Sequence, residues 1–328
     1  MGYENLKQEY ERIFDEKVSP FITEKIKKDY RSLPVFHLLD ELKINRFRSG
    51  LPIIIAREYG VNDNVVLPLS AFAELTFTTA MAQDDFYDDD GSREGVIASH
   101  KKFGVDRTLL SCDYVNHKII HVLNNSLKDS VDDSKRNKII EIINEGLMLG
   151  YLSVIMEINS KENLFSINED YIREIYLNKT IHGRMLLEYS FLMAGETEEK
   201  IDIIKKYGEH LAIAGQLKND IYDFTKHKKY RGLSDLKQGH ITWPLFILIN
   251  SLEEDEKEKF LENIKEKRYD ALIKLLKDKK IIEKTLELID FNVEEAKKIV
   301  TGKFSEKLDG LLKLWAEGNR SFSKKPEL

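Results

Sequence analysis

No proline occurs between Pro68 and Pro244, so the long middle of this chain lacks the residue that most reliably breaks helices. Apolar side chains recur there at helical spacing, which predicts an all-α fold. At 328 residues the chain can bury a large core. No repeat, linker or low-complexity tract divides it, and residues 1–328 read as one helical domain.

Charge and cysteine usage narrow the function. Lys and Arg number 51 against 57 Asp and Glu, and a net charge of -6 gives no general attraction to nucleic acid or to an anionic membrane. The lone Cys112 cannot form an internal disulfide, and MGYENLKQEYERIF is charged and amphipathic where a signal peptide is basic and then apolar. A cytoplasmic location is the expectation. The most apolar stretch, residues 65–82, contains Pro68, Glu74 and several hydroxyls; it suits a buried helix, and no transmembrane segment is expected.

Helical spacing covers residues 1–30, and a break at 32–34 precedes a helix starting near Val35. Lys43, Arg46 and Arg48, beside Ser49, Gly50 and Pro52, read as a basic loop before a helix over 52–58. An apolar helix follows and ends at the turn residues Asp90 and Gly91. Further helices are expected over 96–128 and 134–158, over 168–195 with Asn168 as N-cap and Gly195 as stop, and over 198–225. A polar, basic loop then leads to a helix starting near Pro244.

Two acidic clusters end apolar runs: Asp84, Asp85 and Asp88 in AMAQDDFYDDDG, and Asn219, Asp220 and Asp223 in GQLKNDIYDF. Residues four apart share a helix face, so each cluster can aim two ligands at one point. Carboxylates crowded at a helix C-terminus, where the dipole is already negative, repel one another unless a cation offsets them. A hard ion such as Mg2+ suits these oxygens and keeps waters and a substrate phosphate as further ligands. Most charge runs are solvated loops. The nearly charge-free helix ahead of the first cluster argues for an interior site instead, where acids without cations would be costly. Cations adjoin the clusters: Arg93 after the first, Lys229 and Arg231 after the second, and Lys179 between them. Surface lysines mostly serve solvation, but a diphosphate leaving group needs metal ions and cationic donors as its carbon–oxygen bond breaks.

In this order the motifs resemble those of the trans-isoprenyl diphosphate synthase (polyprenyl synthetase) family and of the class I terpene synthases that share its fold. DDFYD looks like the first DDxxD motif, and NDIYD like the second with Gly215 and Gln216 just ahead of it. Lys179 and Thr180 look like the family's KT pair, and LSDLKQGHITWP like the loop after the second motif. The resemblance implies a single large helical bundle with a central active-site cavity, and a homodimer. It implies three Mg2+ ions gathered by Asp84, Asp88, Asn219 and Asp223, with Asp85 and Asp220 in support. Arg93, Lys179 and Arg231 or Lys229 would hold an allylic diphosphate, while Thr180 and Gln216 would face the carbocation.

Chain-elongating members of that family bind isopentenyl diphosphate through GGKRxRP, a His or Gln seven residues before DDxxD, and the second of two arginines after it. Here NRFR keeps Arg46 and Arg48 but places Asn45 at the lysine position, and a rival register pairs Lys43 with Arg46. Phe77 stands at the His or Gln position and Glu94 at the second arginine. An acid beside a diphosphate costs on the order of a few kcal/mol at an effective dielectric of about 20. The ionising half therefore reads as intact and the acceptor half as damaged. The expected function is Mg2+-dependent ionisation of an allylic prenyl diphosphate by a terpene synthase, whose prenyl cation cyclises or is quenched; Asn219 favours the same reading. The alternatives are a trans-prenyltransferase using isopentenyl diphosphate or another acceptor, and a non-catalytic regulatory subunit, which would have no need of repelling carboxylates. Thr79 and Ala80, small residues just ahead of the first motif, leave room beneath the metals for a substrate of farnesyl or geranylgeranyl size. Phe77, Phe86, Tyr87 and Tyr222 can shelter a cation with their ring faces, although aromatics at helical spacing are more often plain core.

Overall fold

The computed structural model describes residues 3–42, 44–161, 164–224, 235, 237, 239–320 and 322. The fold is all-α. The elements are α1 (Tyr3–Ile13), a wide π turn (Phe14–Val18), α2 (Ser19–Lys25), α3 (Leu33–Glu41), α4 (Phe47–Glu58) and α5 (Asp63–Tyr87). A small hairpin of β1 (Ser92–Arg93) and β2 (Val96–Ile97) precedes α6 (Ser99–Phe103), α7 (Val105–Lys128), α8 (Asp133–Ser160), α9 (Glu169–Lys179), α10 (Ile181–Ala194) and α11 (Glu198–Phe224). The helices Trp243–Asn250, Glu254–Lys265, Tyr269–Asp278, Ile281–Val300 and Glu306–Glu317 follow. The chain packs as two compact units: Met1–Asn144 with Met185–Ile201, and Glu145–Arg184 with Asp202–Leu328. Their boundaries fall inside α8, α10 and α11.

In the first unit α5 is the axis, with α2, α3, α4, α6 and α7 packed against it. Asn62 starts it by accepting the Asn64 N–H at 2.9 Å. Two of its buried hydroxyls are satisfied within the helix: Thr76 and Thr78 donate to the carbonyls of Phe72 and Glu74, each at 2.8 Å. By length and composition α5 and α8 could each cross a membrane, yet 78% of the apolar window of α5 is already buried by protein, as in a core helix. For α8 that share is 33%.

Three local expectations change. The basic stretch after Arg46 is helical: α4 starts at Phe47, ahead of Pro52, and the Asn45 side chain accepts the Phe47 N–H at 3.1 Å. Gly50 is then required: a Cβ there would collide with the Tyr10 ring of α1. The helix expected over 96–128 gives way at its start to the hairpin, whose two-residue turn places Glu94 (φ 50°) and Gly95 (φ 84°) in the left-handed region that suits the strand twist. The stretch 168–195 is two helices broken at Thr180, although Asn168 does cap it, accepting the Tyr171 N–H at 2.8 Å, and Gly195 (φ 84°) does end it.

In the second unit the helix Ile281–Val300 packs on Trp243–Asn250 and Glu306–Glu317. The Tyr207 hydroxyl of α11 donates to the Leu312 carbonyl at 2.8 Å, joining α11 to that last helix. Thr242 and Pro244 open the helix Trp243–Asn250, the first by capping the Leu245 N–H and the second with its preset φ.

Candidate active site

The C-terminal end of α5 carries the first motif. Asp84 is half-exposed, Asp85 is fully buried and Asp88 is the C-cap. The chain reverses through Asp89 (φ 51°) and the hairpin, which brings Arg93 back onto the helix end. Its Nε donates to Asp85 Oδ1 at 2.9 Å and its Nη2 to Asp84 Oδ2 at 2.6 Å. Burial disfavours the Arg93 charge, but the two aspartates outweigh it and raise its proton affinity. Arg93 thus already binds the motif that the sequence paired it with. Lys101 bonds Asp89 at 2.6 Å; it stands twelve residues downstream, and its spacing gave no signal.

The basic knot divides into two roles. Arg46 is buried, bonds Glu74 Oε1 at 2.5 Å and the carbonyls of Leu39 and Leu42 at 2.7 and 3.2 Å, and lies over the Phe14 ring at 4.0 Å. Ser49 Oγ donates to the other Glu74 oxygen at 3.0 Å. Arg46 is therefore an interior brace. Arg48 is different: its guanidinium stacks on Phe77 at 3.2 Å and on Phe47 at 4.3 Å, and among the described residues it donates no hydrogen bond. Burial pulls its proton affinity down to about 9, partly offset by Glu74, so it stays cationic at neutral pH. Lys43 lies outside the described residues. Of the expected cavity residues, Thr79 is buried, with Oγ1 2.7 Å from Asn116 Oδ1, while Phe77 and Ala80 are half-buried. Glu94 is exposed at the hairpin tip.

In the second unit the end of α11 carries the second motif. Asn219 is exposed, whereas Asp220 and Asp223 are buried. Gln216 Nε2 donates to Asp220 Oδ1 at 2.9 Å, one turn along the same helix, and the Tyr176 hydroxyl donates to Oδ2. Burial raises the Asp220 pKa well above the carboxylate range, and the charges of Asp235, Glu157 and Asp223 add to that. Asp223 Oδ2 accepts the Asp235 N–H at 3.1 Å. Lys179 Nζ bonds Glu157 Oε1 of α8 at 2.7 Å, and Thr180 Oγ1 donates to the Tyr176 carbonyl at 2.7 Å. Lys229 and Arg231 lie outside the described residues. Tyr176 and Glu157 were not singled out from the sequence. The signals were there: Tyr176 sits one turn before Lys179, and Glu157 is the lone acid of an apolar run.

Among the described residues no three acidic, histidine or cysteine side chains converge into a closed metal cage. The donor chemistry still fits Mg2+. Asp84 with Asp88, and Asn219 with Asp223, offer oxygen atoms one turn apart at helix ends, and a magnesium site built on few protein oxygens leaves its other positions to water and substrate phosphate.

The sequence pattern of the Polyprenyl synthetase family matches residues 35–279. The short chain isoprenyl diphosphate synthase of Methanocaldococcus jannaschii is 27% identical over 224 residues, 65% of this chain and 66% of that one. The geranylgeranyl diphosphate synthase of Saccharolobus solfataricus is 27% identical over 243 residues, covering 68% and 70%. For the first of these relatives, as for the octaprenyl diphosphate synthase of Escherichia coli at 60%, the match spans less than two thirds of its length. The fold matches the crystal structure of geranylgeranyl pyrophosphate synthetase from Pyrococcus horikoshii with a TM-score of 0.83 at 18% identity, covering 97% of this chain and all of that one. A polyprenyl synthase from Caulobacter crescentus, complexed with calcium and isoprenyl diphosphate, matches with a TM-score of 0.82 at 21% identity, covering 97% and 98%. With its pattern matched over most of the chain and both aspartate motifs ending long helices, this protein belongs to the polyprenyl synthetase family.

Proposed function

We propose that this chain is an enzyme of isoprenoid biosynthesis, a trans-prenyltransferase that condenses an allylic diphosphate of farnesyl or geranylgeranyl size with isopentenyl diphosphate. The single observation that carries this is Arg48: a half-buried guanidinium, stacked on Phe77 with its hydrogen-bonding edges uncommitted among the described residues. A cation held in that way suits a diphosphate. The relatives, which are prenyl diphosphate synthases, support transfer to isopentenyl diphosphate better than the terpene synthase expected from Phe77 and Glu94. Two physical points weaken that expectation. Phe77 supports the arginine through its ring face, and Glu94 is exposed to solvent, where a charge is screened.

In this proposal Asp84, Asp88, Asn219 and Asp223 hold Mg2+, and Asp85 and Asp220 orient them. Bound Mg2+ supplies charge neutralisation to the departing diphosphate. Lys179, Arg93, Lys229 and Arg231 donate to that diphosphate, for which Lys179 and Arg93 exchange their present carboxylate partners Glu157, Asp84 and Asp85. The carbon–oxygen bond breaks and its electron pair leaves with diphosphate. The double bond of isopentenyl diphosphate then supplies the pair for the new carbon–carbon bond, and a proton is lost from the product cation. Gln216 donates one amide hydrogen to Asp220 and Thr180 its hydroxyl hydrogen to the Tyr176 carbonyl, which leaves oxygen lone pairs of both for the allylic cation. Arg48 anchors the acceptor diphosphate. Arg46 is left out of substrate binding because Glu74 holds it in the interior.

The same proposal includes a homodimer. Met148, Tyr151, Ile155 and Ile158 of α8 are 61%, 45%, 53% and 48% exposed, and their spacing of three, four and three makes an apolar stripe of the kind that pairs helices. Release of diphosphate from farnesyl diphosphate, measured with and without isopentenyl diphosphate and with a magnesium chelator, tests the enzymatic part. Release that needs both Mg2+ and isopentenyl diphosphate supports it; release without isopentenyl diphosphate returns the chain to the terpene synthases.

A further inference from the structure

The second motif is held by a residue that no motif names. Asp220 is 1% exposed, and both of its oxygens accept from neutral side chains: Gln216 on Oδ1 and the Tyr176 hydroxyl on Oδ2. Tyr176 is itself 2% exposed. Its hydroxyl oxygen also accepts the backbone N–H of Trp243 at 2.6 Å, and its ring meets the Trp243 indole edge-on at 5.2 Å. One buried phenol thus ties together the helix that ends in Lys179, the helix that bears the second motif, and the start of the helix Trp243–Asn250.

We infer that Tyr176 is a positioning residue for the second motif, fixing the Asp220 carboxylate and with it the helical turn that presents Asn219 and Asp223 to a magnesium–diphosphate group. The physical need is plain. Asp220 is buried and accepts from Gln216 and Tyr176, and loss of one donor removes the contact that fixes the orientation of its side chain. Phenylalanine at position 176 would keep the ring contact with Trp243 but leave both Asp220 Oδ2 and the Trp243 N–H without this partner in a buried place. Groups one step removed from a metal commonly govern its affinity in this way. The inference rests on the second motif being a metal–diphosphate site, as proposed above.

The test is calorimetric titration of the full chain with inorganic diphosphate in the presence of Mg2+, well below the melting temperature of every variant. Tyr176→Phe is compared with the unaltered protein and with Tyr171→Phe, which removes a hydroxyl on the same helix that donates to the Met156 carbonyl at 3.0 Å. Tyr176→Phe is expected to bind at least about tenfold more weakly, and Tyr171→Phe like the unaltered chain. In an Asp220→Asn background Tyr176→Phe should cause no further loss, because it acts through that carboxylate. A Tyr176→Phe protein that melts earlier yet binds normally would make the phenol a core hydrogen bond only and overturn the inference, as would losses that add to those of Asp220→Asn. Absence of Mg2+-dependent diphosphate binding by the unaltered protein would instead bring down the functional proposal, and this inference with it.

Discussion

The Arg48 guanidinium lies 3.2 Å from the centre of the Phe77 ring, so two positions that the sequence treats separately form one stacked pair. If that pair is the acceptor anchor, Arg48→Ala raises KM for isopentenyl diphosphate about 10–100-fold, the worth of a charge-assisted hydrogen bond at about 1.5–3 kcal/mol. KM for the allylic substrate should move little. Phe77→Leu, which keeps volume but removes the ring face, is expected to weaken the acceptor by up to about tenfold. Steady-state kinetics with each substrate varied in turn decides this; an unchanged acceptor KM in Arg48→Ala would refute the assignment.

Arg46 makes a contrasting prediction. Arg46→Met strands the buried Glu74 carboxylate and should cost about 3–5 kcal/mol of stability in urea unfolding. Arg46→Met with Glu74→Met removes both charges and should recover most of that loss. Acceptor KM of the folded double variant should stay near that of the unaltered protein. Failure of the second change to rescue the first would show that Arg46 acts elsewhere.

Cys112 gives the pH dependence. The thiol is fully buried, and desolvation, with Asp113 adding, pushes its pKa up to about 12. An unfolded thiol titrates near about 8.5. Between these values the folded chain keeps a proton that the unfolded chain releases, so the unfolded state gains and stability falls as pH rises through the window. Stability measured from pH 8 upward should therefore decline less steeply in Cys112→Ala. A thiol reagent at pH 8 should label no cysteine in the folded protein and one in denaturant; rapid labelling of folded protein would contradict the burial.

The α8 stripe predicts its own measurement. Tyr151→Glu with Ile155→Glu places two acids on the exposed apolar face and should convert a dimer into a monomer by light scattering at micromolar concentration. Helical circular dichroism should be retained. An unaltered protein that is already monomeric would remove the homodimer from the account.

How much could be seen in the sequence differs by element. The proline-free middle and helical spacing announced an all-α fold, and Asn168 and Gly195 marked helix ends because capping chemistry is local. The start of α4 was misjudged: cations, serine and glycine suggest a loop, while the Asn45 side chain accepts the first helical N–H, and the Tyr10 ring that requires Gly50 lies forty residues away in sequence. The Glu94 and Gly95 turn was hidden because only one of its two left-handed positions is glycine. The aspartate clusters were legible from their four-residue spacing. Their partners were not, since Tyr176 and Asp220, like Arg46 and Glu74, meet only through tertiary packing. The Phe77 and Glu94 substitutions were visible, but their meaning depended on a stacked guanidinium and on solvent exposure.

Product analysis tests the central claim most directly. Purified protein is incubated with Mg2+ and geranyl, farnesyl or geranylgeranyl diphosphate, each with and without isopentenyl diphosphate, and prenyl diphosphates, alcohols and volatile hydrocarbons are separated by mass. The account predicts a longer prenyl diphosphate that forms only when isopentenyl diphosphate is present. Hydrocarbon or alcohol formed from the allylic substrate alone, with no elongated diphosphate in any mixture, would contradict it.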